Sequence, residues 1–247
     1  MNSLTLSFPK INLHIHSNYS DGKNNIQQIV RRALELGLDY IAITDHFTNS
    51  WKAWVSTLKD TEIISIYFEE LSNCQKFLKK NNHSLKLIKG LEIDLSSSEN
   101  FIKKCIDISK VDLILFEYLQ DIETLAFIKN LINYWKNSLL DTSNLPLLGL
   151  AHFDPSYFLH GGLDILINFL KENHIYFEFN PRYSEFYSTR NFLFFEKVKE
   201  NLVPVAIGCD SHTLHNLNDT KEPLEMISYY NLENNFQILL ESLISLK

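Results

Sequence analysis

The chain has 247 residues, of which 45% are hydrophobic and 21% charged, and its formal net charge is −7. An acidic protein of this kind lacks the basic surface that holds an extended nucleic-acid duplex, so we expect no such partner. No uninterrupted apolar run reaches the roughly 18 residues that a membrane-spanning helix needs, so we expect no membrane partner either. The length suits one α/β barrel, and we expect a single domain over residues 1–247.

The three cysteines, Cys74, Cys105 and Cys209, are odd in number and widely spaced. They form no CxxC motif, which disfavours both a disulfide framework and a cysteine-ligated zinc site. The first ten residues lack the basic and apolar segments of a secretory signal. Together these features predict a cytoplasmic protein.

Strand-like apolar runs alternate with amphipathic helical segments along nearly the whole chain. The first unit joins a strand over 11–16 to a helix over 24–36. Gly37 follows directly and is predicted to end this helix. A buried strand over 40–46 completes a β-α-β unit, which requires a parallel sheet. Further strands are predicted over 85–95, 111–118, 146–153, 175–180 and 204–210, and further helices over 61–81, 101–109, 122–137, 162–173, 188–201 and 233–246.

Seven such repeats with short connections predict either a closed or nearly closed α/β barrel or a doubly wound open sheet. Polar residues follow six or seven of the strands, which fits a barrel mouth better than the single switch point of an open sheet. The sequence contains no GxGxxG or GxxxxGKS/T motif, so nucleotide-loop chemistry is disfavoured. We therefore predict a barrel, and we expect the segment 47–60, with Trp51 and Trp54, to form a loop over its strand ends.

Two histidines end the first predicted strand. Because successive side chains of a strand point to opposite faces, His14 and His16 share one face, where two neutral imidazoles suit a divalent metal. Acids and histidines recur at later strand ends and in the first loop, namely Asp21, His46, Glu92, Asp94, Glu117, His152, Asp154, Glu178, Asp210 and His212. So many such groups at one mouth would repel each other and be costly to desolvate without cations. The pattern predicts a site for several metal ions.

Six short motifs at these positions resemble, in order and spacing, those of the PHP (polymerase and histidinol phosphatase) family. They are His14-x-His16, Ser20-Asp21-Gly22, Thr44-Asp45-His46, Gly90-x-Glu92, Ala151-His152 and Gly208-Cys209-Asp210-Ser211-His212. The resemblance extends from residue 11 to about residue 215. It implies a distorted (β/α)7 TIM-like barrel that holds two or three divalent ions, of manganese, iron, zinc or magnesium, and hydrolyses phosphoesters.

The resemblance also implies how the ligands are shared. One metal would be held by His14, His16, Glu92 and Asp210, a second by Glu92 and His152, and a third would lie near Asp21, His46 and His212. Many family members have a further histidine at the end of the fourth strand, where this chain has Glu117. A carboxylate ligand there would favour manganese, iron or magnesium over zinc. The alternative is that the second metal is weakly held or absent and the protein is altered or inactive.

Cationic side chains near the mouth are candidates for binding a substrate phosphate. Arg182 and Arg190 follow the sixth strand, where a guanidinium would grip two phosphate oxygens, and Lys23 is a further candidate. Two metal ions would bind the phosphate and lower the pKa of a bridging water to about 7, so that hydroxide attacks phosphorus in line. A metal-bound water or a mouth histidine would protonate the leaving alkoxide, and His212 and Asp21 are the candidate catalytic residues that would assist.

Hydrolysis of a small phosphomonoester, of the histidinol-phosphatase type, is the favoured function, because the barrel stands alone and the chain is acidic. The alternatives are a nucleotide or oligonucleotide phosphodiesterase and a non-catalytic barrel that binds metal or phosphate, which Glu117 supports best. Metal-dependent hydrolysis of carbon–nitrogen bonds is a weaker alternative, because such barrels use a bridging lysine and Lys86 and Lys89 lie before Glu92. The sequence leaves the substrate and the oligomeric state open.

Overall fold

The computed structural model describes residues 8–50 and 55–246. Trp51 and Trp54, which were expected in a loop, lie outside the described residues. Strands and helices alternate along the described chain in the order β1 (Ile11–Asn12), α1 (Ile26–Leu36), β2 (Tyr40–Ile43), β3 (His46–Phe47), α2 (Thr61–Lys80), β4 (Lys86–Asp94), α3 (Glu99–Cys105), β5 (Leu113–Glu117), α4 (Ile122–Ser138), β6 (Leu147–Leu150), α5 (Ser156–Leu159), α6 (Leu163–Glu172), β7 (Ile175–Phe179), α7 (Phe192–Glu200), β8 (Val205–Ile207), α8 (Lys221–Tyr229) and α9 (Glu233–Ser245).

The strands form one parallel sheet that curls into a barrel. Neighbouring strands follow the order β1-β2-β4-β5-β6-β7-β8, and β3 continues the line of β2 along β4 after a break of two residues. The ring is completed between its first and last strands by hydrogen bonds from the Leu13 amide to the Ile207 carbonyl (2.9 Å) and from the His16 amide to the Ser211 carbonyl (3.0 Å). The predicted distorted (β/α)7 barrel is therefore confirmed.

The barrel buries its strands because helices cover the outside and side chains fill the inside. Every residue of β5 is buried, including the terminal Glu117. On the outer layer, the buried residues of α1 recur at helical spacing and are Ile26, Ile29, Val30 and Ala33. A capping box between Asn25 and Gln28 begins this helix, and Gly37 ends it with a left-handed φ of 64°, as the sequence predicts.

The helices differ from the predicted pattern in several places, which include the short unpredicted helix α5. α8 lies in the polar segment after the last strand, where the sequence pattern predicts no element. The pattern is weak there because the buried residues of α8 are limited to Pro223 and Ile227. The helix predicted over 101–109 is divided into α3 and a 3-10 turn at Ile108–Lys110. The helix predicted from residue 188 begins with a 3-10 turn at Thr189–Asn191. Within the described ranges, no helix is long and apolar enough to cross a membrane.

The chain turns sharply where it leaves three of the strands at their carboxyl ends. Tyr118, His152 and Asp210 lie one to three residues beyond β5, β6 and β8, and have left-handed φ values of 70°, 33° and 45°. A residue other than glycine adopts this backbone conformation at a cost of about 1–3 kcal/mol. These turns place the side chains of His152 and Asp210 at the barrel mouth.

Candidate metal centre

The first strand leads directly into two buried histidines at the mouth. The Nε2 atoms of His14 and His16 lie 3.0 Å apart. On the far side of each ring, His14 Nδ1 lies 2.8 Å from Glu178 Oε1 and His16 Nδ1 lies 3.3 Å from Ser20 Oγ. Because a carboxylate only accepts hydrogen bonds, His14 Nδ1 carries a proton, and in the neutral form of the ring the lone pair of Nε2 points towards His16.

Glu92, on β4, lies at the middle of this cluster. Its Oε2 lies 2.6 Å from His46 Nδ1, and its Oε1 lies 3.2 Å from His152 Nε2 and 3.3 Å from His14 Nε2. The side chain is fully buried, yet no donor among the described residues meets hydrogen-bond geometry at either oxygen. A buried carboxylate without hydrogen bonds is costly, whereas coordination to a cation would compensate for its lost hydration.

The described residues contain three overlapping groups of ligand atoms, in each of which all atoms lie within 4.8 Å of one another. The groups are His14, His16 and Glu92; His46, Glu92 and Glu117; and His16, Asp21, His46 and His212. Asp210 adjoins the first group, with its Oδ1 3.0 Å from His16 Nε2. His152 adjoins the second, with its Nε2 3.2 Å from Glu92 and 3.8 Å from Glu117. The barrel thus brings all the predicted metal ligands into one mouth.

These acids and imidazoles shift one another's pKa values strongly. Burial by itself lowers the pKa of His46, but the carboxylates of Glu92 and Asp21 outweigh it and raise the pKa to about 10. Burial and the neighbouring charge of His46 lower the pKa of His16 to about 4. Burial raises the pKa of Glu92, but His46 and His14 hold it well below its ordinary value. Without metal, the mouth therefore holds a charged His46 beside an ionised Glu92.

Glu117 ends β5 and reaches the same cluster. Its Oε2 lies 3.7 Å from His46 Nδ1 and its Oε1 lies 3.8 Å from His152 Nε2, and the side chain is buried. With Glu92 it gives the second ligand group two carboxylates and one imidazole, whereas the third group has three imidazoles and one carboxylate. The second group is therefore the one best suited to a hard cation.

Asp45 lies behind the cluster and orients one of its imidazoles. It accepts hydrogen bonds from the Ser17 amide (2.8 Å), the Ser17 hydroxyl (2.6 Å) and the Ser20 hydroxyl (2.5 Å). Since Ser20 donates its only proton to Asp45, its oxygen accepts from His16 Nδ1. Asp45 thus fixes the direction of His16 through Ser20.

Asp94 shares a strand face with Glu92 but lies outside the three ligand groups. Its oxygens accept hydrogen bonds of 2.6–2.8 Å from the hydroxyls of Thr48, Ser50 and Ser96 and from the Ser96 amide. These donors satisfy the carboxylate and tie the loop after β3 to the end of β4. Strand parity alone therefore does not decide which mouth carboxylates can bind metal.

The open side of the mouth is formed by Asp21, Asp210 and His212. His212 Nε2 lies 3.1 Å from Asp21 Oδ2. Arg182 Nη1 lies 2.8 Å from the Asp210 carbonyl oxygen, 3.2 Å from Asp210 Oδ2 and 2.7 Å from His212 Nδ1. A cavity of about 260 Å³ opens here and is lined by Asp21, His46, Val55, Glu117, Tyr118, His152, Arg182, Tyr183, Asp210 and His212.

The three predicted phosphate-binding residues lie in different places. Arg182 lines the cavity, as described above. Arg190 is directed elsewhere, because its Nη2 lies 3.7 Å from Asp154 Oδ2 and its side chain is more than half exposed. Lys23 is exposed on the rim, where its amide donates to the His212 carbonyl (2.9 Å). The structure thus brings Arg182, but not Arg190, to the ligand groups.

Sequence reasoning missed two tyrosines that line the cavity. The ring of Tyr183 packs on that of His152 with centroids 4.7 Å apart, and Tyr118 lies beside Glu117 at the turn out of β5. Each directly follows a residue that the sequence singles out, Arg182 and Glu117. Their positions next to these two residues were the feature of the sequence that could have identified the tyrosines.

The donor set fits divalent metal ions. Imidazole nitrogens and carboxylate oxygens are the ligand types that zinc, iron and manganese take in proteins. The facing Nε2 atoms of His14 and His16, and the oxygens of Glu92 that meet no hydrogen-bond geometry among the described residues, suit a cation bound between them.

The sequence profile of the PHP domain family matches residues 12–243. The chain belongs to the PHP family. No curated protein matches this PHP chain by sequence.

Solved structures share the barrel of this PHP protein at low sequence identity. A Listeria monocytogenes protein provisionally assigned as a histidinol phosphatase is 15% identical, with a TM-score of 0.62 over 87% of this chain and 99% of its own. The histidinol phosphate phosphatase of Lactococcus lactis, solved with zinc, L-histidinol and phosphate, is 17% identical, with a TM-score of 0.59 over 90% of this chain and 93% of its own.

A third solved structure comes from work on YwqE of Bacillus subtilis and CpsB of Streptococcus pneumoniae, described as metal-dependent tyrosine phosphatases. It is 13% identical, with a TM-score of 0.58 over 96% of this chain and 94% of its own. At these identities the three likenesses establish a shared fold.

Proposed function

We propose that the protein is a metal-dependent phosphoester hydrolase that acts on a small phosphomonoester. The observation that carries the proposal is the arrangement around Glu92, where three overlapping groups of ligand atoms meet in one mouth that Arg182 borders. Sites that hold two or more metal ions close together are well suited to phosphoester hydrolysis. Membership of the PHP family, and the histidinol phosphate phosphatase solved with zinc, L-histidinol and phosphate, support the same reaction class.

Two or three divalent ions would be held by the ligand groups around Glu92. His14, His16 and Asp210 would complete the first position, His152 and Glu117 the second, and Asp21, His46 and His212 the third. When bound, the ions supply Lewis acidity that polarises the phosphoryl group and lowers the pKa of the attacking water. The two carboxylates of the second position favour manganese, iron or magnesium, whereas the imidazole-rich positions also suit zinc.

The residues at the open side supply phosphate binding and proton transfer. Arg182 would exchange its contacts with Asp210 and His212 for the non-bridging phosphate oxygens, which a planar guanidinium binds in pairs. Burial lowers the pKa of His212, but Asp21 and Asp210 outweigh it and raise the pKa above its ordinary value. When the third position holds no ion, His212, with its Nε2 3.1 Å from Asp21, would be the group that donates a proton to the leaving alkoxide. Lys23 is a further candidate for the phosphate at the rim.

The size of the mouth supports a small monoester over an oligonucleotide. The cavity of about 260 Å³ is slightly smaller than most ligand pockets, which span about 300–1,000 Å³. A terminal phosphoryl group with a compact leaving group fits such a volume, and Tyr118, Tyr183 and Val55 offer it apolar contact. We further propose that residues 1–247 form one domain and that the protein acts in the cytoplasm.

Hydrolysis of p-nitrophenyl phosphate and of its bis-ester, with and without added manganese, tests the proposal together with elemental analysis of the purified protein. We expect bound metal, metal-dependent turnover and faster hydrolysis of the mono-ester. Glu92→Gln is expected to lose both metal and activity. A preference for the bis-ester would favour a phosphodiesterase, and bound metal without hydrolysis under any metal supplement would favour a non-catalytic barrel, so either outcome contradicts the proposal.

A further inference from the structure

Glu178, on β7, receives hydrogen bonds from three parts of the mouth. Its Oε1 accepts from His14 Nδ1 at 2.8 Å, and its Oε2 accepts from the His152 amide at 2.8 Å and from Asn180 Nδ2 at 3.0 Å. The side chain is 1% exposed and lies behind the three ligand groups. Both carboxylate oxygens are therefore used to hold protein groups.

Two of those contacts act on His14 and His152, whose Nε2 atoms both lie close to Oε1 of Glu92. His14 Nε2 and His152 Nε2 lie 3.3 Å and 3.2 Å from Glu92 Oε1, and their rings are nearly parallel, with centroids 5.8 Å apart. Glu178 keeps the proton of His14 on Nδ1, which leaves Nε2 free to bind metal. It also holds the amide of His152, whose left-handed backbone (φ 33°) needs such stabilisation.

Gly208, which follows β8, provides the space that this arrangement requires. A Cβ atom at Gly208 would overlap Oε1 of Glu178 and would lie 2.7 Å from Cβ of His14. Any other residue would therefore displace the paired carboxylate and imidazole. The glycine of the Gly-Cys-Asp-Ser-His motif is thus explained by the close approach of Glu178 and His14.

We propose that Glu178 is a positioning residue for two metal ligands, His14 and His152, and that Gly208 is required to admit it. This role rests on the proposed metal-dependent function, but it concerns ion binding alone. It can therefore be tested with a metal ion and without any phosphoester.

Glu178→Gln keeps the shape of the side chain but replaces one acceptor by an amide donor. That donor faces either His14 Nδ1, which drives the imidazole proton onto Nε2, or the His152 amide, which is left without an acceptor. We expect the Zn²⁺ affinity, measured by competition with a chromophoric chelator, to fall about 10–100-fold. NMR of the zinc-loaded protein should show a slowly exchanging Nδ1 proton on His14 that the variant lacks.

A second variant and a control separate positioning from general stability. Gly208→Ala is expected to lower the Zn²⁺ affinity at least as much without changing any charge. Asp94→Asn is the matched control, because Asp94 is also a buried carboxylate at the mouth but lies outside the ligand groups. It is expected to lower the midpoint of thermal unfolding and to leave the Zn²⁺ affinity unchanged.

Wild-type Zn²⁺ affinity in folded Glu178→Gln or folded Gly208→Ala protein would overturn the inference. A loss of affinity in these variants, with no hydrolysis of any phosphoester by the metal-loaded wild type, would refute the proposed function and leave the positioning role intact. The two proposals can thus fail separately.

Discussion

The Nε2 atom of His14 lies 3.0 Å from the Nε2 atom of His16, and both side chains are buried in the barrel mouth. Burial lowers the pKa of His14, but Glu178 and Glu92 outweigh it and raise the pKa well above its ordinary value, which favours a proton on Nε2 between the two nitrogens when no metal is bound. With both nitrogens unprotonated, their lone pairs would face each other, and burial removes the solvent that would screen them. The nearest acidic oxygens, from Asp210 at 3.0 Å and Glu92 at 3.3 Å, add negative charge to the same space. The arrangement is therefore stable only with positive charge between or beside the two nitrogens.

Replacement of Glu117 should change metal content in a defined way. Glu117→Gln is expected to lose about one equivalent of Mn²⁺ per chain after dialysis, because an amide is a weaker ligand for a hard cation than a carboxylate. Glu117→His is expected to shift the preference of that position towards Zn²⁺. Elemental analysis of both variants measures these changes, with Asp94→Asn as a control at the same end of the barrel. An unchanged Mn²⁺ content in Glu117→Gln would show that this carboxylate is not a ligand.

Metal binding should release protons, because His46 must be neutral to act as a ligand. In the metal-free protein its pKa is about 10, so the ring is protonated at neutral pH. We expect the Mn²⁺ affinity to rise between about pH 6 and about pH 9. Calorimetric titrations in buffers of different ionisation enthalpy count the protons released. Affinity that is independent of pH, with no proton release, would refute the assignment of His46 as a ligand.

The same pKa predicts how the stability of the metal-free protein depends on pH. The folded-state pKa of His46, about 10, lies above its ordinary value of 6.5, so protonation favours the folded state. This contribution is complete below about pH 6.5 and is lost as the pH rises through about 10. Urea denaturation of chelator-treated protein should therefore show a falling free energy of unfolding over this range. His46→Gln should show a smaller slope, and an equal slope would assign the effect to other groups.

Arg182 and Arg190 form a matched pair for testing phosphate binding. Arg182 lines the cavity, whereas Arg190 contacts Asp154 at 3.7 Å on the surface. Because charge-assisted hydrogen bonds contribute about 1.5–3 kcal/mol, Arg182→Ala should lower kcat/KM about 10–100-fold and weaken inhibition by inorganic phosphate. Arg190→Ala should leave both quantities unchanged. Equal effects of the two substitutions would remove the special role given to Arg182.

Tyr67 and Tyr176 test the cost of a buried hydroxyl. Both side chains are fully buried, but the Tyr67 hydroxyl lies 2.8 Å and 2.9 Å from the carbonyl oxygens of Ile43 and Gly90, whereas that of Tyr176 has no partner among the described residues. Tyr67→Phe should lower the free energy of unfolding by about 0.5–1.5 kcal/mol, because it removes a buried hydrogen bond to the carbonyls of the sheet. Tyr176→Phe should leave it unchanged or raise it by up to about 1 kcal/mol. Urea denaturation compares them, and a larger loss in Tyr176→Phe would reveal an unseen partner.

Local patterns in the sequence were sufficient to predict the order and type of most elements and the set of candidate ligands. Periodicity depends on local geometry, so the alternation of strands and helices can be recognised without tertiary information. The same local rule placed His14 and His16 on one face, and Gly37 at the end of α1. α8 was missed because only two of its residues are buried, which leaves a weak pattern.

Which polar residues meet at the mouth depends on contacts that form in the folded barrel. Glu92 and Asp94 have the same strand parity, yet only Glu92 belongs to the ligand groups, because side chains from the loop after β3 satisfy Asp94. Arg182 and Arg190 are equally plausible in sequence, yet one turns into the mouth and the other to Asp154. Distances between groups on different strands depend on barrel closure, register and the turns that leave each strand. These properties arise from contacts between residues far apart in the chain, which no local pattern of residues encodes.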